Sequence, residues 1–409
     1  MSVPSGDELA SQLRMLWTMG ELGDPHALLL RGPEDPYPLY EKVRAGDTLQ
    51  RSALGAWITA SHDTAARILR DRRLGVLKRD GTPVSPATTT FDNSMLGQDP
   101  PDHTRLRQLA APTFSPRTIG AFRPQIERVC HELLDRVDTG GEFDMMTAYA
   151  NVIPVSVVAS LFGIEGDHLD RFLEHGPAFG TIFDEITSAG HLRNVQRSLD
   201  ELDALFQELL EERTAHPGDD VVSRLIQARA EDKLTTRELI SMCQLLTLAG
   251  AESTVNLIGV GLLTMLDQPG QWAKLVADPD LAPQAVQESL RFEAPVQQSS
   301  RVAHERLEID GKVIEPDTPV VVLTGGCNRD PLVWDEPDRF DITRPVTPDN
   351  LAFAGGQHYC LGAPLARLEG EVAFRVLATR LPELHRTGPF VRRRSAIIRG
   401  LRSLPVSGG

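Results

Sequence analysis

The segment from Phe353 to Gly362, F-A-G-G-Q-H-Y-C-L-G, places a cysteine between a glycine-rich turn and a predicted helix over Ala363–Thr379. The dipole and free backbone N–H groups at the start of a helix lower the pKa of a nearby thiol. The sequence therefore predicts that Cys360 is a thiolate, able to bind a metal or to attack a substrate. A chain with this feature must hold one reactive sulfur at the start of a helix.

The residues around this cysteine indicate what the sulfur binds. Glycine lacks a side chain, so it allows a large flat group to lie close to the backbone. His358 stands two residues before the cysteine and offers a hydrogen-bond donor. A thiolate on a cleared surface beside a polar donor is typical of an axial haem ligand. The glycines expected to clear this surface are Gly355, Gly356 and Gly362.

Two other interpretations of Cys360 are open at this point. Free cysteine is among the most buried residue types, and most cysteines only pack in a core. A zinc site using His358 and Cys360 needs four ligands at a recognisable spacing, and the sequence has no second cysteine–histidine pair. The ten-residue context, rather than the cysteine itself, favours the haem site.

The run resembles the haem-binding signature of the cytochrome P-450 monooxygenases, F-G-x-G-x-H-x-C-x-G, with Ala354 in place of a glycine. The turn is expected to keep its shape if Ala354 has a negative φ. By this resemblance Cys360 is the metal ligand. The other cofactor-binding residues that the resemblance implies in this run are Phe353, Gly356, His358 and Gly362.

Two more segments resemble family motifs that hold the cysteine loop in place. Glu288 and Arg291 match E-x-x-R, and residues three apart on a helix share a face. The run W-D-E-P-D-R-F resembles the segment that supplies a second arginine, so Arg339 is expected to complete a buried Glu–Arg–Arg network. The role of such a network is folding and haem retention. Taken alone, the E-x-x-R pair is also typical of an ordinary surface ion pair.

The predicted helix over Leu239–Asp267 carries A-G-A-E-S-T at its centre, which resembles the family pattern A-G-x-[ED]-T. The resemblance implies that Gly250 opens a groove for dioxygen and that Glu252 relays protons. A glycine within a helix costs about 1 kcal/mol relative to alanine, so the position needs a compensating reason. The alternative is a core helix with a packing glycine and a solvated acid.

Ser253 stands where the family pattern has threonine. Its hydroxyl is expected to bond back to the carbonyl of Ala249 and to assist proton delivery. Serine lacks the β-methyl group that restricts χ1, so positioning should be looser and some electrons wasted. Thr254 is no substitute, because the next helical position points about 100° away.

Haem propionates need cationic or donor partners, and several segments resemble those of the family that supply them. Isolated histidines and arginines are normally surface residues. Here the candidates fall in segments that match the family in order. They are His103, Arg107, Arg301 and His358.

The substrate pocket is placed by resemblance alone. Residues 80–97 are expected to cap the distal side of the haem, and residues 172–187 to form part of a lid. The alternative for each apolar residue is plain core. Because these places hold few charges, a mostly apolar, medium-to-large substrate is expected. The candidate contacts are Phe179, Ile182, Phe183, Leu246, Ala249, Val296 and Ile397.

The resemblance covers residues 36 to 405, which implies a mainly α fold with a small β-sheet region and a long central helix over the haem. Residues 36–409 are expected to form one domain, preceded by an extension, 1–35, that begins with a short amphipathic helix. The longest predicted helices are Ile119–Val137, Ala189–His216 and Arg237–Leu266. The predicted strands are Ala56–Thr59, Leu307–Asp310 and Val320–Leu323.

Composition narrows the partners and the compartment. A net charge of −15 argues against nucleic acid. No apolar segment reads as a signal peptide or membrane span, and the four cysteines lack a framework spacing, so a cytoplasmic monomer is expected. Local basic residues are either a ferredoxin-docking surface or merely solvated charge. They are Arg67, Arg70, Arg72, Arg73, Lys78, Arg79, Arg105 and Arg107.

The function expected from this resemblance is a haem-thiolate monooxygenase that uses haem b and O2. No nucleotide-binding G-x-G-x-x-G follows a strand, so electrons from NAD(P)H should arrive through a separate ferredoxin and reductase. The segments resemble those of antibiotic-tailoring enzymes, which implies hydroxylation or epoxidation of a polyketide, macrolide or peptide, free or carrier-bound. The alternatives are a peroxide-using or rearranging haem-thiolate enzyme and a haem-based sensor or ligand-binding protein.

Overall fold

A computed structural model describes residues 6–83, 93–175, 189–218, 220–231, 233–347 and 349–409. The predicted fold class, mainly α with small sheets, is confirmed. The α-helices are α1 Gly6–Glu21, α2 Pro25–Leu30, α3 Tyr37–Arg44, α4 His62–Arg70, α5 Asp102–Ala110, α6 Pro116–Gly120, α7 Arg123–Asp135, α8 Val152–Leu161, α9 Asp167–His175, α10 Ala189–Ala215, α11 Val221–Ala230, α12 Thr236–Leu266, α13 Pro269–Ala277, α14 Ala282–Phe292, α15 Thr324–Cys327 and α16 Ala363–Arg380.

The strands are short and belong to small sheets. The largest has the order β1-β2-β8-β5-β3, in which β2 and β8 are parallel and the other neighbours antiparallel. The strands are β1 Gln50–Arg51, β2 Trp57–Thr59, β3 Leu74–Gly75, β4 Phe143–Asp144, β5 Ser299–Ala303, β6 Leu307–Ile309, β7 Lys312–Ile314, β8 Pro319–Val322, β9 His385–Arg386, β10 Val391–Arg392, β11 Leu401–Ser403 and β12 Pro405–Ser407.

The long central helix, α12, begins at a capping box. The Thr235 hydroxyl accepts from the backbone N–H of Glu238 at 3.2 Å, and the Glu238 carboxylate accepts from the N–H of Thr235 at 2.8 Å. Most of its side chains are buried. Among the described residues, it is the one helix long and apolar enough to cross a bilayer, and its burial within the fold is that of a core helix.

Helix α12 packs against α8, α14 and α16, and glycines set these close approaches. A Cβ at Gly261 would lie 2.7 Å from side-chain atoms of both Phe374 and Ser289. A Cβ at Gly370 would lie 2.9 Å from Val286. Because α16 follows Cys360 directly, this packing fixes the cysteine relative to α12.

One predicted helix was wrong in its continuity. The periodic segment 119–137 forms two helices, α6 and α7, that meet at Ala121 and Phe122. The cause is Pro124 in the first turn of α7, since proline lacks an N–H and its ring clashes with the carbonyl four residues earlier. The other predicted helices and strands lie within a few residues of the observed bounds.

The predicted N-terminal extension contacts the rest of the chain. Asp24 caps α2 by accepting from the N–H of Ala27 at 2.8 Å. The same carboxylate accepts from the Ala53 N–H at 2.7 Å and from the Ser52 hydroxyl at 3.0 Å. Through Asp24, the residues before 36 are joined to the turn between β1 and β2.

Candidate active site

Cys360 stands between a single 3₁₀ turn, Gly356–His358, and the first residue of α16. Its backbone N–H donates to the carbonyl oxygen of Phe353 at 3.0 Å, which closes the loop. Protein atoms surround the thiol, and yet Cys360 is accessible to solvent. The loop therefore leaves this sulfur accessible to a group that binds beside it.

The prediction that the helix start alone makes Cys360 a thiolate was wrong. Burial raises the pKa of the Cys360 thiol, and this effect exceeds the lowering by the backbone N–H groups of Gly362 and Ala363 and by Arg107 and Arg367. A bound metal cation reverses this balance, because a coordinating thiol is deprotonated outright. Where no cation is bound, burial therefore favours the protonated thiol.

Two of the three glycines in the loop have a different purpose from the one expected. A Cβ at Gly355 would lie 3.2 Å from Leu69, and a Cβ at Gly356, whose φ is +66°, would overlap the carbonyl oxygen of Leu69. The missing side chains of Gly355 and Gly356 therefore allow the loop to pack closely against α4, rather than making room for a flat group. At Gly362, by contrast, a Cβ would lie 3.9 Å from the sulfur of Cys360.

Ala354 adopts a φ of +56°, so the condition of a negative φ is not met. For a residue with a Cβ, the left-handed conformation costs about 1–2 kcal/mol. The structure therefore assigns backbone strain to the one position at which the loop departs from the family signature.

We predict that Ala354→Gly stabilises the protein by about 1 kcal/mol, because glycine adopts this φ without strain. Urea unfolding followed by circular dichroism measures the change. The control is Ala352→Gly in the same loop, where φ is not positive and glycine should destabilise. Equal destabilisation by both substitutions would show that Ala354 is not strained.

Phe353 and its neighbours brace the loop from one side. The Phe353 side chain is buried, and its ring lies 6.4 Å from that of Tyr359. The guanidinium of Arg367 lies 4.5 Å from the centre of the Phe353 ring and donates to the Tyr359 hydroxyl at 3.2 Å. Phe353 thus has a clear structural role, and its contact with a cofactor stays a prediction.

Four predicted propionate partners gather beside this loop. The rings of His103 and His358 are 4.3 Å apart, and Arg107 and Arg301 are close enough to lower the pKa of both histidines. Burial is the largest cause and takes the pKa of His103 to about 4. Burial likewise lowers the pKa of Arg301 to about 10. Asp99 is the acid of this cluster, 3.9 Å from His358.

Several buried nitrogens in this cluster have no hydrogen-bond partner. They include both ring nitrogens of His103, Nε2 of His358 and Nη2 of Arg301. A buried polar group without a hydrogen bond costs about 1–3 kcal/mol, so such a cluster needs a ligand to satisfy it. Two carboxylates on a porphyrin would supply the missing acceptors and the negative charge. The residues present therefore fit haem, with propionates here and iron at Cys360.

The central turn of α12 is accessible to solvent, whereas most of the helix is buried. Ala249 is exposed, although most residues on either side of this turn are not. The Ser253 hydroxyl donates to the carbonyl oxygen of Ala249 at 3.3 Å, as predicted. The Glu252 carboxylate accepts from the Asn256 amide at 2.8 Å and pairs with Arg393. Glu252 is therefore held in place rather than solvated.

Gly250 acts as a packing glycine, which is the alternative interpretation of this helix. A Cβ at this position would lie 2.7 Å from the Val158 side chain, so glycine allows the close approach of α12 to α8. The expectation that Gly250 also opens a groove for dioxygen stays a prediction.

The predicted pair Glu288 and Arg291 is buried, with Arg291 Nε 2.7 Å and Nη2 2.8 Å from the two carboxylate oxygens. Arg291 also donates to the carbonyl oxygens of Asn328 at 3.2 Å and of Pro337 at 2.8 Å. Asn328 in turn accepts from the N–H of Leu351 at 2.7 Å. The pair thus anchors the segment that leads into the cysteine loop.

The predicted third member of this network was wrong. Arg339 is exposed, and its guanidinium pairs with Glu336 and Asp341. Only the backbone carbonyl oxygen of Arg339 takes part in the network, by accepting a hydrogen bond from Arg291. Arg344 takes the place, with Nε 3.3 Å from Glu288. Residue 339 lies at a turn that directs its side chain outward, and the motif gave no signal that the arginine five residues later would point inward.

The predicted pocket residues are only partly placed. Phe179, Ile182 and Phe183 lie outside the described residues. Leu246 is buried on α12, one turn before the exposed Ala249. Val296 forms an isolated antiparallel bridge with Ile398, and the carbonyl of Ile397 accepts from the N–H of Gln297 at 2.9 Å. Val296 and Ile397 therefore lie on neighbouring stretches, both half-buried.

The zinc interpretation has no support in the geometry. Within the part of the chain that the structure describes, no group of three or more His, Cys, Asp or Glu side chains is placed to hold a metal ion. Haem iron needs a single sulfur from the protein, whereas a structural zinc site needs four ligands.

Comparison with known proteins agrees with this geometry. The cytochrome P450 family model matches residues 57–378. The chain is 38% identical to 6-deoxyerythronolide B hydroxylase of Saccharopolyspora erythraea over 86% of this chain and 90% of the relative. It is 35% identical to the biotin biosynthesis cytochrome P450 of Bacillus subtilis, with 91% and 96% covered.

A solved structure agrees equally well. The crystal structure of P450BioI in complex with an acyl carrier protein ligated to hexadec-9Z-enoic acid superimposes with a TM-score of 0.83 at 35% identity, covering 91% of this chain and 98% of that one. With a family model over most of its length and relatives above 30% identity, the chain belongs to the cytochrome P450 monooxygenases, a family that uses haem iron and O2.

Proposed function

We propose that the enzyme inserts one oxygen atom of O2 into an apolar secondary metabolite, by hydroxylating or epoxidising a polyketide, macrolide or peptide intermediate. The observation that supports this most strongly is the solvent-accessible thiol of Cys360 beside buried nitrogens that lack hydrogen-bond partners. Bound haem would supply oxygen activation through its thiolate-ligated iron. The relative that hydroxylates 6-deoxyerythronolide B supports the substrate class.

Each residue of the site has a task in this proposal. Cys360 ligates the iron, and the cluster of His103, Arg107, Arg301 and His358 binds the propionates. Glu252 and Ser253, almost two turns of α12 beyond Leu246, pass protons toward the reacting oxygen. Phe353 and Gly362 border the haem on the cysteine side. The other pocket candidates, among them Ala249, Val296 and Ile397, orient the substrate.

The electrons are proposed to come from NAD(P)H through a ferredoxin and its reductase. A surface pocket beside the cysteine loop is lined by Leu69–Arg72, Gly356 and Gln357, and the presence of Arg70 and Arg72 there supports a docking surface for an acidic partner. Other nearby arginines are already paired with acids, so they offer less to a partner. These pairs are Arg67 with Asp310, Arg73 with Asp71 and Arg79 with Asp317.

The proposal includes a single domain over residues 36–409 that acts as a monomer in the cytoplasm. All four cysteines are free thiols, as expected in a reducing compartment. The substrate is either free or attached to a carrier protein. A relative whose structure holds an acyl carrier protein supports the second possibility.

The test is turnover in isotopically labelled O2, with NADPH, a plant-type ferredoxin and its reductase. The substrates are macrolactones, linear polyketides, peptides and fatty acyl groups on a carrier protein. We expect one product that has gained a single labelled oxygen atom. Product with hydrogen peroxide alone would favour the peroxide-using alternative, and no product from any substrate would favour a ligand-binding protein.

We predict that Ser253→Ala raises the hydrogen peroxide released per NADPH and that Ser253→Thr lowers it. Loss of one hydrogen bond, about 1 kcal/mol, corresponds to about a fivefold change in partition. Threonine restores the β-methyl group that holds the hydroxyl in one rotamer. Peroxide and NADPH are assayed together in each variant, and equal coupling in all three proteins would remove Ser253 from the proton path.

A further inference from the structure

The Glu252 carboxylate is held from two directions. The Asn256 amide, one turn further along α12, donates to Oε1 at 2.8 Å and to the Glu252 backbone carbonyl at 2.9 Å. The Arg393 guanidinium meets the same Oε1 from the C-terminal part of the chain. Both side chains of this ion pair are mostly buried, at 13% exposure for Glu252 and 8% for Arg393.

The backbone of Arg393 is fixed in place, because it stands at the base of a closed turn over residues 393–400. Its backbone N–H donates to the Gly400 carbonyl at 3.1 Å. Inside the turn, Ser395 accepts from the backbone N–H groups of Ile397 and Ile398 at 3.3 and 3.1 Å. The turn is tied to a second segment by the bond from Arg399 N–H to the Pro295 carbonyl at 2.8 Å.

The neighbouring arginines of this segment have other partners or face solvent. Arg392 and Arg399 both pair with Glu293, and Arg394 is exposed. Arg393 is therefore the arginine of this segment that reaches α12. The backbone at Gly400 also lies against Asn256, so that a Cβ there would overlap the amide oxygen. The turn therefore contributes Arg393 and contacts Asn256, the two residues that hold the Glu252 carboxylate.

We propose that Arg393 is a positioning residue that fixes the Glu252 carboxylate for proton transfer. This inference rests on the proposed proton-relay function of Glu252. A mostly buried carboxylate bound by a rigid guanidinium and by an amide keeps one orientation, and loss of the guanidinium leaves a buried charge half-satisfied. Without Arg393 the carboxylate turns away from the path, although haem binding at Cys360 is unaffected.

The ion pair itself is tested by a double-mutant cycle on the holoenzyme, read as the thermal unfolding midpoint. We expect Arg393→Gln and Glu252→Gln each to lower the midpoint and the double variant to lower it no further than the worse single variant. Arg392→Gln combined with Glu252→Gln should instead be additive, because Arg392 belongs to Glu293. An additive result for Arg393 and Glu252 would overturn the proposal.

The positioning role is tested by the solvent deuterium isotope effect on NADPH consumption, with a plant-type ferredoxin and its reductase. We expect Arg393→Gln to change this isotope effect in the same direction as Glu252→Gln, Arg393→Lys to restore it in part, and the exposed control Arg394→Gln to match the parent. A lower midpoint with an unchanged isotope effect would reduce Arg393 to a structural residue.

The absorption spectrum of the reduced, carbon monoxide-bound protein distinguishes failure of the Arg393 inference from failure of the proposed function. If all variants keep the red-shifted band and the cycle is additive, the inference about Arg393 is wrong and the proposed function stands. If the parent protein lacks that band, the proposed function is wrong, whatever the cycle shows.

Discussion

Glu288→Gln is expected to lower the free energy of unfolding by about 3–5 kcal/mol, because it leaves two arginines without their anionic partner inside the protein. Arg291 is 1% exposed and binds both carboxylate oxygens of Glu288, and Arg344 approaches one of them. Glutamine keeps the shape and loses the charge. The same contacts anchor the segment before Cys360, so haem retention should fall together with stability.

Urea unfolding measures the loss, followed in parallel by circular dichroism and by the haem absorption band. Two arginine variants serve as a matched pair. Arg344→Gln should shift the unfolding midpoint markedly, and Arg339→Gln should leave it unchanged, because Arg339 is exposed. A large shift from Arg339→Gln would contradict the network as the structure shows it.

Glu369→Gln is expected to stabilise the protein, and increasingly so as the pH rises. Glu369 lies on α16 with no exposed surface, and neither carboxyl oxygen has a partner in hydrogen-bond geometry. Burial raises the pKa of Glu369 well above its usual value, although the nearby Thr254 hydroxyl acts in the opposite direction. The folded protein therefore holds this proton to a higher pH than the unfolded chain does.

The sign of the pH dependence follows from proton binding. The unfolded chain loses this proton above its ordinary pKa of about 4.3, while the folded chain keeps it. Stability is thus fully present below the unfolded pKa and falls by about 1.4 kcal/mol per pH unit as the pH rises toward the folded pKa. Glutamine, which does not titrate, removes this loss.

Urea midpoints of the parent and of Glu369→Gln between pH 5.5 and 8.5 test this expectation. The difference in favour of glutamine should widen steadily across the range. Glu211→Gln is the control, since Glu211 is an exposed residue of α10. A difference for Glu369→Gln that stays constant with pH would mean that the carboxyl is ionised in the folded protein.

The parts of the fold that could be predicted depend on local sequence patterns. The glycine-rich run before Cys360, the E-x-x-R spacing of Glu288 and Arg291, and the apolar length of α12 each depend on residues close in sequence. The back-bond from Ser253 to Ala249 is likewise a property of one helical turn. The propionate cluster depended on family order, because its four residues come from three separate segments.

Features set by packing between distant segments could not be read in the same way. The clash that makes Gly250 a glycine is with Val158 of another helix, and the partner of Glu252 is Arg393, far along the chain. The choice of Arg344 over Arg339 depends on the direction in which a loop turns. The raised pKa of Cys360 reflects the depth of its loop in the protein, which no local motif encodes.

The most direct test of the central claim is the absorption spectrum of the reduced, carbon monoxide-bound protein, compared with that of Cys360→Ser. We expect a strongly red-shifted Soret band in the parent protein and loss of that band, with loss of turnover, in the variant. The control is Cys243→Ser, which removes a buried thiol from another part of the fold, helix α12, and should keep the band. A Cys360→Ser protein that retains its pigment, its red-shifted band and its turnover would contradict the account.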